Sequence, residues 1–110
     1  MKIGNTELEL DLFDAEMAEK YERALRKFDE RQNNKKTGLD LAGTIKQECE
    51  IVFDFFNDIW GAGTDKQVFG NKTNFRECEK AFKQIVDCSS AQLEEVRSIT
   101  AKYSIDRLKR

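Results

Sequence analysis

The stretch from Thr44 to Trp60 constrains the fold more than any other part of the chain, because its apolar residues cover too much of a helix to form a surface stripe. At 100° per residue, Ile45, Cys49, Ile51, Val52, Phe53, Phe55, Phe56, Ile59 and Trp60 fall within an arc of about 200°. A helix lying on one core needs a stripe of only about 100°. This helix is therefore central to its own domain or covered by a partner as well. Lys46, Gln47, Glu50, Asp54, Asn57 and Asp58 fill the remaining face. Glu48 falls inside the apolar arc. Either its side chain snorkels to water near the helix start, or it is a buried carboxylate of raised pKa that would mark a site.

The flanking segments supply the rest of a small helical domain. Ile3-Gly4-Asn5-Thr6 sets a turn dipeptide between an apolar start and the alternation Leu8, Leu10, Leu12, which predicts a β-hairpin over residues 1–12. A lone hairpin is marginal in water, so it must lie on the helices or pair with another chain. Its edge is thus a candidate joint, unless Lys2, Glu7 and Glu9 protect it. Asp14 can cap a helix over 14–31, with Met17, Ala18, Tyr21, Ala24, Leu25 and Phe28 in a stripe about 120° wide. Gln32 to Gly38 has nothing to bury and reads as the most mobile loop.

The central helix spans 40–60, with Gly61 suited to a left-handed C′ position, and residues 61–74 read as a loop. Asn74-Phe75-Arg76-Glu77 has the form of a capping box with Asn in place of Ser or Thr, opening a long helix over 75–104. Its stripe is Phe75, Cys78, Phe82, Ile85, Val86, Leu93, Val96 and Tyr103. The phase holds across Asp87 to Ser90, which favours one continuous helix, although Ser89-Ser90 offers a fresh N-cap and hence a break. The expected fold is mostly α and single-domain: three helices, or four if the last is broken near 89–90, with a short N-terminal β-hairpin.

Composition narrows the chemistry. A chain of 110 residues suits one modest core, and 8 Phe, 2 Tyr and 1 Trp give that core bulk. The 3 cysteines, Cys49, Cys78 and Cys88, show neither a disulfide framework nor zinc-ligand spacing, so reduced thiols are expected. There is no histidine, which removes the commonest general base and metal ligand. The i,i+4 carboxylates Glu50, Asp54 and Asp58 lie on the polar face of the central helix. Gly61-Ala62-Gly63-Thr64-Asp65-Lys66 lacks the spacing of a phosphate loop and follows a helix, so it reads as an interhelical turn. The residues thus point to a non-enzymatic protein with no cofactor.

No apolar run approaches the roughly 18 residues needed to span a bilayer, and a cytoplasmic protein is expected. Charge is uneven: residues 1–60 carry 14 acidic against 9 basic side chains, and residues 61–110 carry 7 against 10. Such a chain can associate head to tail or simply present two solvated faces. The basic end, Lys102, Arg107, Lys109 and Arg110, has Asp106 among it and only Tyr103 as an aromatic neighbour. Nucleic-acid binding is weakly supported, and basic residues there also offset a helix dipole.

Three patches resemble a family of small helical proteins of phages and prophages of Gram-positive bacteria, associated with the tail assembly chaperones. Leu10-Asp11-Leu12-Phe13-Asp14-Ala15 leading into Ala18-Glu19-Lys20-Tyr21-Glu22 is similar to the family's opening after a short hairpin. Val68-Phe69-Gly70-Asn71-Lys72-Thr73-Asn74, followed by Cys78, Ala81 and Phe82, resembles its central motif, and Lys102-Tyr103-Ser104 with a basic end resembles its tail. Ile105-Asp106 departs from the family in lacking a Pro-containing turn, which bears on where the last helix ends.

The resemblance implies a protein that coats and solubilises the tape-measure protein in the host cytoplasm and is gone from the mature virion. It also implies weak self-association rather than a fixed dimer. The partner-binding residues expected on this reading are Leu8, Leu10, Ile51, Phe55, Trp60 and Phe69. Phe55, at the margin of the arc, is expected to serve the partner more than the core, so that a charge there would abolish binding without unfolding the protein. The competing expectations are a small phage regulator or adaptor that binds nucleic acid, and a permanent structural component of the tail.

Overall fold

Three long helices, one short helix and an N-terminal hairpin make up the fold of the computed structural model, which describes residues 1–103. The hairpin is β1 (Lys2–Ile3) and β2 (Thr6–Glu7), antiparallel, with Lys2 opposite Glu7 and Ile3 opposite Thr6. Gly4 turns the chain with φ of 60°, a left-handed value that costs glycine little. The helices are α1 (Ala15–Asn33), α2 (Leu41–Trp60), α3 (Thr64–Phe69) and α4 (Phe75–Lys102).

Each long helix starts where a short polar side chain can take an orphan backbone amide. Asp14 accepts from the Met17 N–H, Asp40 from the Gly43 N–H and Asn74 from the Glu77 N–H. The expected hairpin of residues 1–12 is corrected to residues 2–7. The Leu8 N–H still donates to the Met1 carbonyl, but residues 9–12 pair with no strand, because their backbone groups bond to side chains of the helices instead. Gln92 Nε2 donates to the Leu10 carbonyl, the Leu12 N–H donates to Gln92 Oε1, and Trp60 Nε1 donates to the Glu9 carbonyl. Leu8, Leu10 and Leu12 point inward from this strap and are buried.

Two further expectations change. The 61–74 loop contains α3, six residues flanked by glycines and too short to show a helical period. Gly61 has a positive φ of 105° but an extended ψ of 161°, and the left-handed residue is Gly63, immediately before α3. In α4 the serine pair makes no break. Ser89 Oγ bonds back to the Val86 carbonyl and accepts from the Tyr21 hydroxyl at 2.7 Å, so its polar group is satisfied inside one unbroken helix of 28 residues. Residues 104–110, with the expected final residue of that helix and most of the basic end, lie outside the described residues.

Helix α1 runs antiparallel to α2: Lys27 pairs with Asp58 at 3.8 Å, Arg31 with Asp54, and Lys35 with Glu48 at 2.6 Å. Helix α4 runs alongside α2 in the same sense, since Ile45 and Phe75 line one groove at their starts, while Trp60 and Gln92 grip the same strap further along. Between them lies the aromatic core. Phe28 stacks on Phe82 with centroids 4.5 Å apart and planes at 12°, and Phe55 meets both rings edge-on, at 5.7 Å and 5.0 Å. Phe56 packs against Trp60 and Phe69.

Phe56 has no exposed surface. Phe56→Ala is expected to cost about 3–5 kcal/mol through the cavity it leaves, read by denaturant titration. A loss below about 1 kcal/mol would place the ring outside the core. The thiols give a second check: Cys49 and Cys78 are fully buried, whereas Cys88 is half-buried, its sulfur accepting from Gln92 Nε2 at 3.4 Å. Burial is also the leading cause that pushes the pKa of Cys49 and Cys78 up, further reducing their thiolate. In timed labelling of the native protein, Cys88 should react first.

Candidate interaction surface

The residues expected to meet a partner are largely consumed by the domain itself. Leu8 and Leu10 point from the strap into the core, Ile51 lies beneath the end of α1 and the loop after it, and Phe55 is 1% exposed, with Tyr21, Phe28, Phe56 and Phe82 around it. Trp60 and Phe69 are half-buried and also engaged, Trp60 through its indole bond to the strap and Phe69 against Phe53 and Phe56. The expectation for Phe55 is therefore corrected. A charge there would sit at the centre of the ring cluster, so position 55 cannot separate binding from folding.

The 200° arc is wide because α2 is enclosed on several sides by its own chain, by α1, α3, α4 and the strap. The hairpin offers no joint either: its strands are two residues long, Thr6 Oγ1 donates to the Gln67 carbonyl of α3, and Gln84 Nε2 donates to the Lys2 carbonyl.

Open apolar surface lies elsewhere, at the two ends of α4. At the starts of α2 and α4, Leu41 is 77% and Phe75 41% exposed, and with Ile45, Thr73, Arg76 and Glu79 they line a shallow groove of about 550 Å³. At the far end, Leu93, Ile99 and Tyr103 are exposed on the last turns of α4, and Phe13 stands exposed directly after the strap. Phe75 and Tyr103 are separated by about 42 Å of helix. The sequence did carry a signal for the second surface. Helix α4 has 28 residues against 19 in α1 and 20 in α2, so its last turns outrun anything they could lie against.

The polar residues of α2 serve the packing of α1. Asp54 and Asp58 are not a free carboxylate pair but take Arg31 and Lys27. Among the described residues no three His, Cys, Asp or Glu side chains converge as a metal site, and no helix is long and apolar enough to cross a membrane. Residues 4–110 match the model of a family of unknown function (DUF6673). The chain belongs to that family. No curated protein and no solved structure matches it.

Glu48, the acidic residue inside the arc of this family member, turns out to be a clasp. Its carboxylate accepts from Lys35 Nζ at 2.6 Å and from Gln32 Nε2 at 3.2 Å, while Gln47 Oε1 and Nε2 bond the N–H and carbonyl of Lys36. The segment after α1, expected to be mobile, is thereby tied to α2 at three side chains. Burial alone would raise the Glu48 pKa, but the Lys35 and Gln32 hydrogen bonds and the Lys35 charge outweigh it, and the net direction is down.

A carboxyl whose folded-state pKa is depressed contributes stability above its unfolded value, and that contribution is lost as pH falls through the folded one. Glu48→Gln should cost about 1 kcal/mol at pH 7, allowing for the partial exposure of Lys35. The gap to wild type should close as pH drops below the ordinary value of 4.5. Urea titrations at several pH values test this, and a pH-independent gap would exclude the clasp.

Proposed function

We propose that this protein is a non-catalytic binding protein of phage tail assembly, coating and solubilising the tape-measure protein in the cytoplasm until the tail tube forms. The likeness of the strap, the α3 region and the Lys102-Tyr103-Ser104 tail to the tail assembly chaperones motivates the reading. The observation that carries it is apolar surface left open at both ends of α4, where Leu41, Phe75, Leu93, Ile99 and Tyr103 are exposed. A tape-measure protein is long and helical, and the groove between the starts of α2 and α4 suits one apolar ridge of such a helix, with Arg76 and Glu79 at its rim. Two separated surfaces also suit coating, which needs many modest contacts along one long partner.

Co-expression with the tape-measure protein, followed by separation of soluble and pelleted fractions, is the direct assay. The wild-type chain should move the partner into the soluble fraction and co-purify with it. A Leu41→Glu, Phe75→Glu double variant should lose most of this while keeping the wild-type thermal transition, because both side chains are exposed. If the wild-type protein neither co-purifies with the tape-measure protein nor alters its solubility, the reading fails. Salt-sensitive retention on DNA would then favour a regulator, and presence in purified virions a structural tail component.

A further inference from the structure

We propose that α4 beyond Gln92 pairs antiparallel with the same segment of a second copy of this chain. The proposal rests on helix geometry and does not depend on the tape-measure reading. Ile85, Ser89, Gln92, Val96, Ile99 and Tyr103 follow one another at alternating spacings of four and three, the seam of a two-helix coil. The first half of that seam is covered by the chain's own domain. Ile85 and Ser89 are buried, Ser89 against Tyr21, and Gln92 holds the strap through Leu10 and Leu12. There the cover stops, because the strap ends and α1 begins at Ala15. The seam continues in phase for three more turns, about 16 Å, with Val96 half-buried, Ile99 48% exposed and Tyr103 61% exposed.

The charges beside the seam select both the occupant and its direction. When two copies run antiparallel with Val96 opposite Ile99, Gln92 falls opposite Tyr103, and the flanking positions bring Glu95 of each copy beside Lys102 of the other. The arrangement makes two opposite-charge pairs at once and sets Leu93 against the Thr100 methyl. A parallel pair would put Glu95 beside Thr100 and leave the acid uncompensated. Phe13, 51% exposed and next in the chain after Leu12, adds apolar surface at the foot of the seam where the other copy's Tyr103 arrives. Two Val96–Ile99 layers and two Gln92–Tyr103 layers are far fewer than a permanent dimer needs, so the pair forms and dissociates readily.

Sedimentation equilibrium of the purified protein from about 10 µM to about 500 µM reads this directly, covering the range in which so small a contact assembles. The mass should rise from 12.8 kDa toward twice that value. Ile99→Glu should weaken association at least about tenfold with an unchanged thermal transition, since the side chain lies beyond the packed domain. Glu95→Lys alone and Lys102→Glu alone should each weaken it, and the double reversal should restore it, which a parallel pair would not do. A monomer at every concentration, or a dimer indifferent to Ile99→Glu, would overturn the proposal. Failure of the double reversal to restore association would overturn the antiparallel register. None of these outcomes touches the co-expression assay, so the two readings fail separately.

Discussion

The packing of Phe55 against Tyr21 and against the stacked pair Phe28 and Phe82 sets the positions of all three long helices. A single ring makes edge contacts with aromatics of both α1 and α4, so the two flanking helices are positioned by reference to one turn of α2. Each such contact contributes about 0.5–1.5 kcal/mol beyond the area it buries, and the angular preference of edge-on rings limits how far either helix can rotate. The ion pairs from α1 to Asp54 and Asp58, and from Lys35 just after it to Glu48, then set the antiparallel register on the solvent side. The pairs at Asp54 and Asp58 add direction more than stability, because their side chains stay 32–56% exposed.

The parallel run of α2 and α4 imposes a second requirement, a return path as long as α2 itself, about 30 Å. Residues 61–74 meet it with one short helix between glycine turns and a tail of residues 72–74, whose combined reach is of that order. The return is also put to use. Val68 and Phe69 are packed against the core, so α3 closes the side of α2 that α1 leaves uncovered. The wide apolar arc follows from this topology.

Most of the architecture could be read from the chain, for identifiable reasons. The caps at Asp14 and Asn74 and the glycine-asparagine turn are local chemistry, and each behaves as its residue type demands. The continuity of α4 could be read because an apolar phase maintained across Ser89-Ser90 outweighs two residues' capping preference. Helix α3 was hidden because six residues give less than two turns of period. The strap was misread as strand because alternation reports only which side is buried. Whether the backbone pairs with another strand or with Gln92 and Trp60 depends on residues 51 to 82 positions away. For the same reason the arc on α2 could not assign a surface: it measures how much must be covered and says nothing of which chain covers it. The exposed Leu41 was missed because it sits at the first position of its helix, and Phe75 was assigned to the apolar stripe of α4 because periodicity does not show where its cover ends.

The strap is held in a way that separates two kinds of sequence change. Gln84, Gln92 and Trp60 all grip main-chain atoms of Lys2, Glu9, Leu10 and Leu12, and none of these bonds reads a side chain of the segment it holds. The outward residues Glu7, Glu9 and Asp11 are therefore free to drift in evolution at little cost to the hold on this segment. Insertion or loss of a single residue is another matter. It would turn Leu8, Leu10 and Leu12 outward in one step and misalign the carbonyls with the glutamines, so related chains should vary in the composition of this segment while keeping its length.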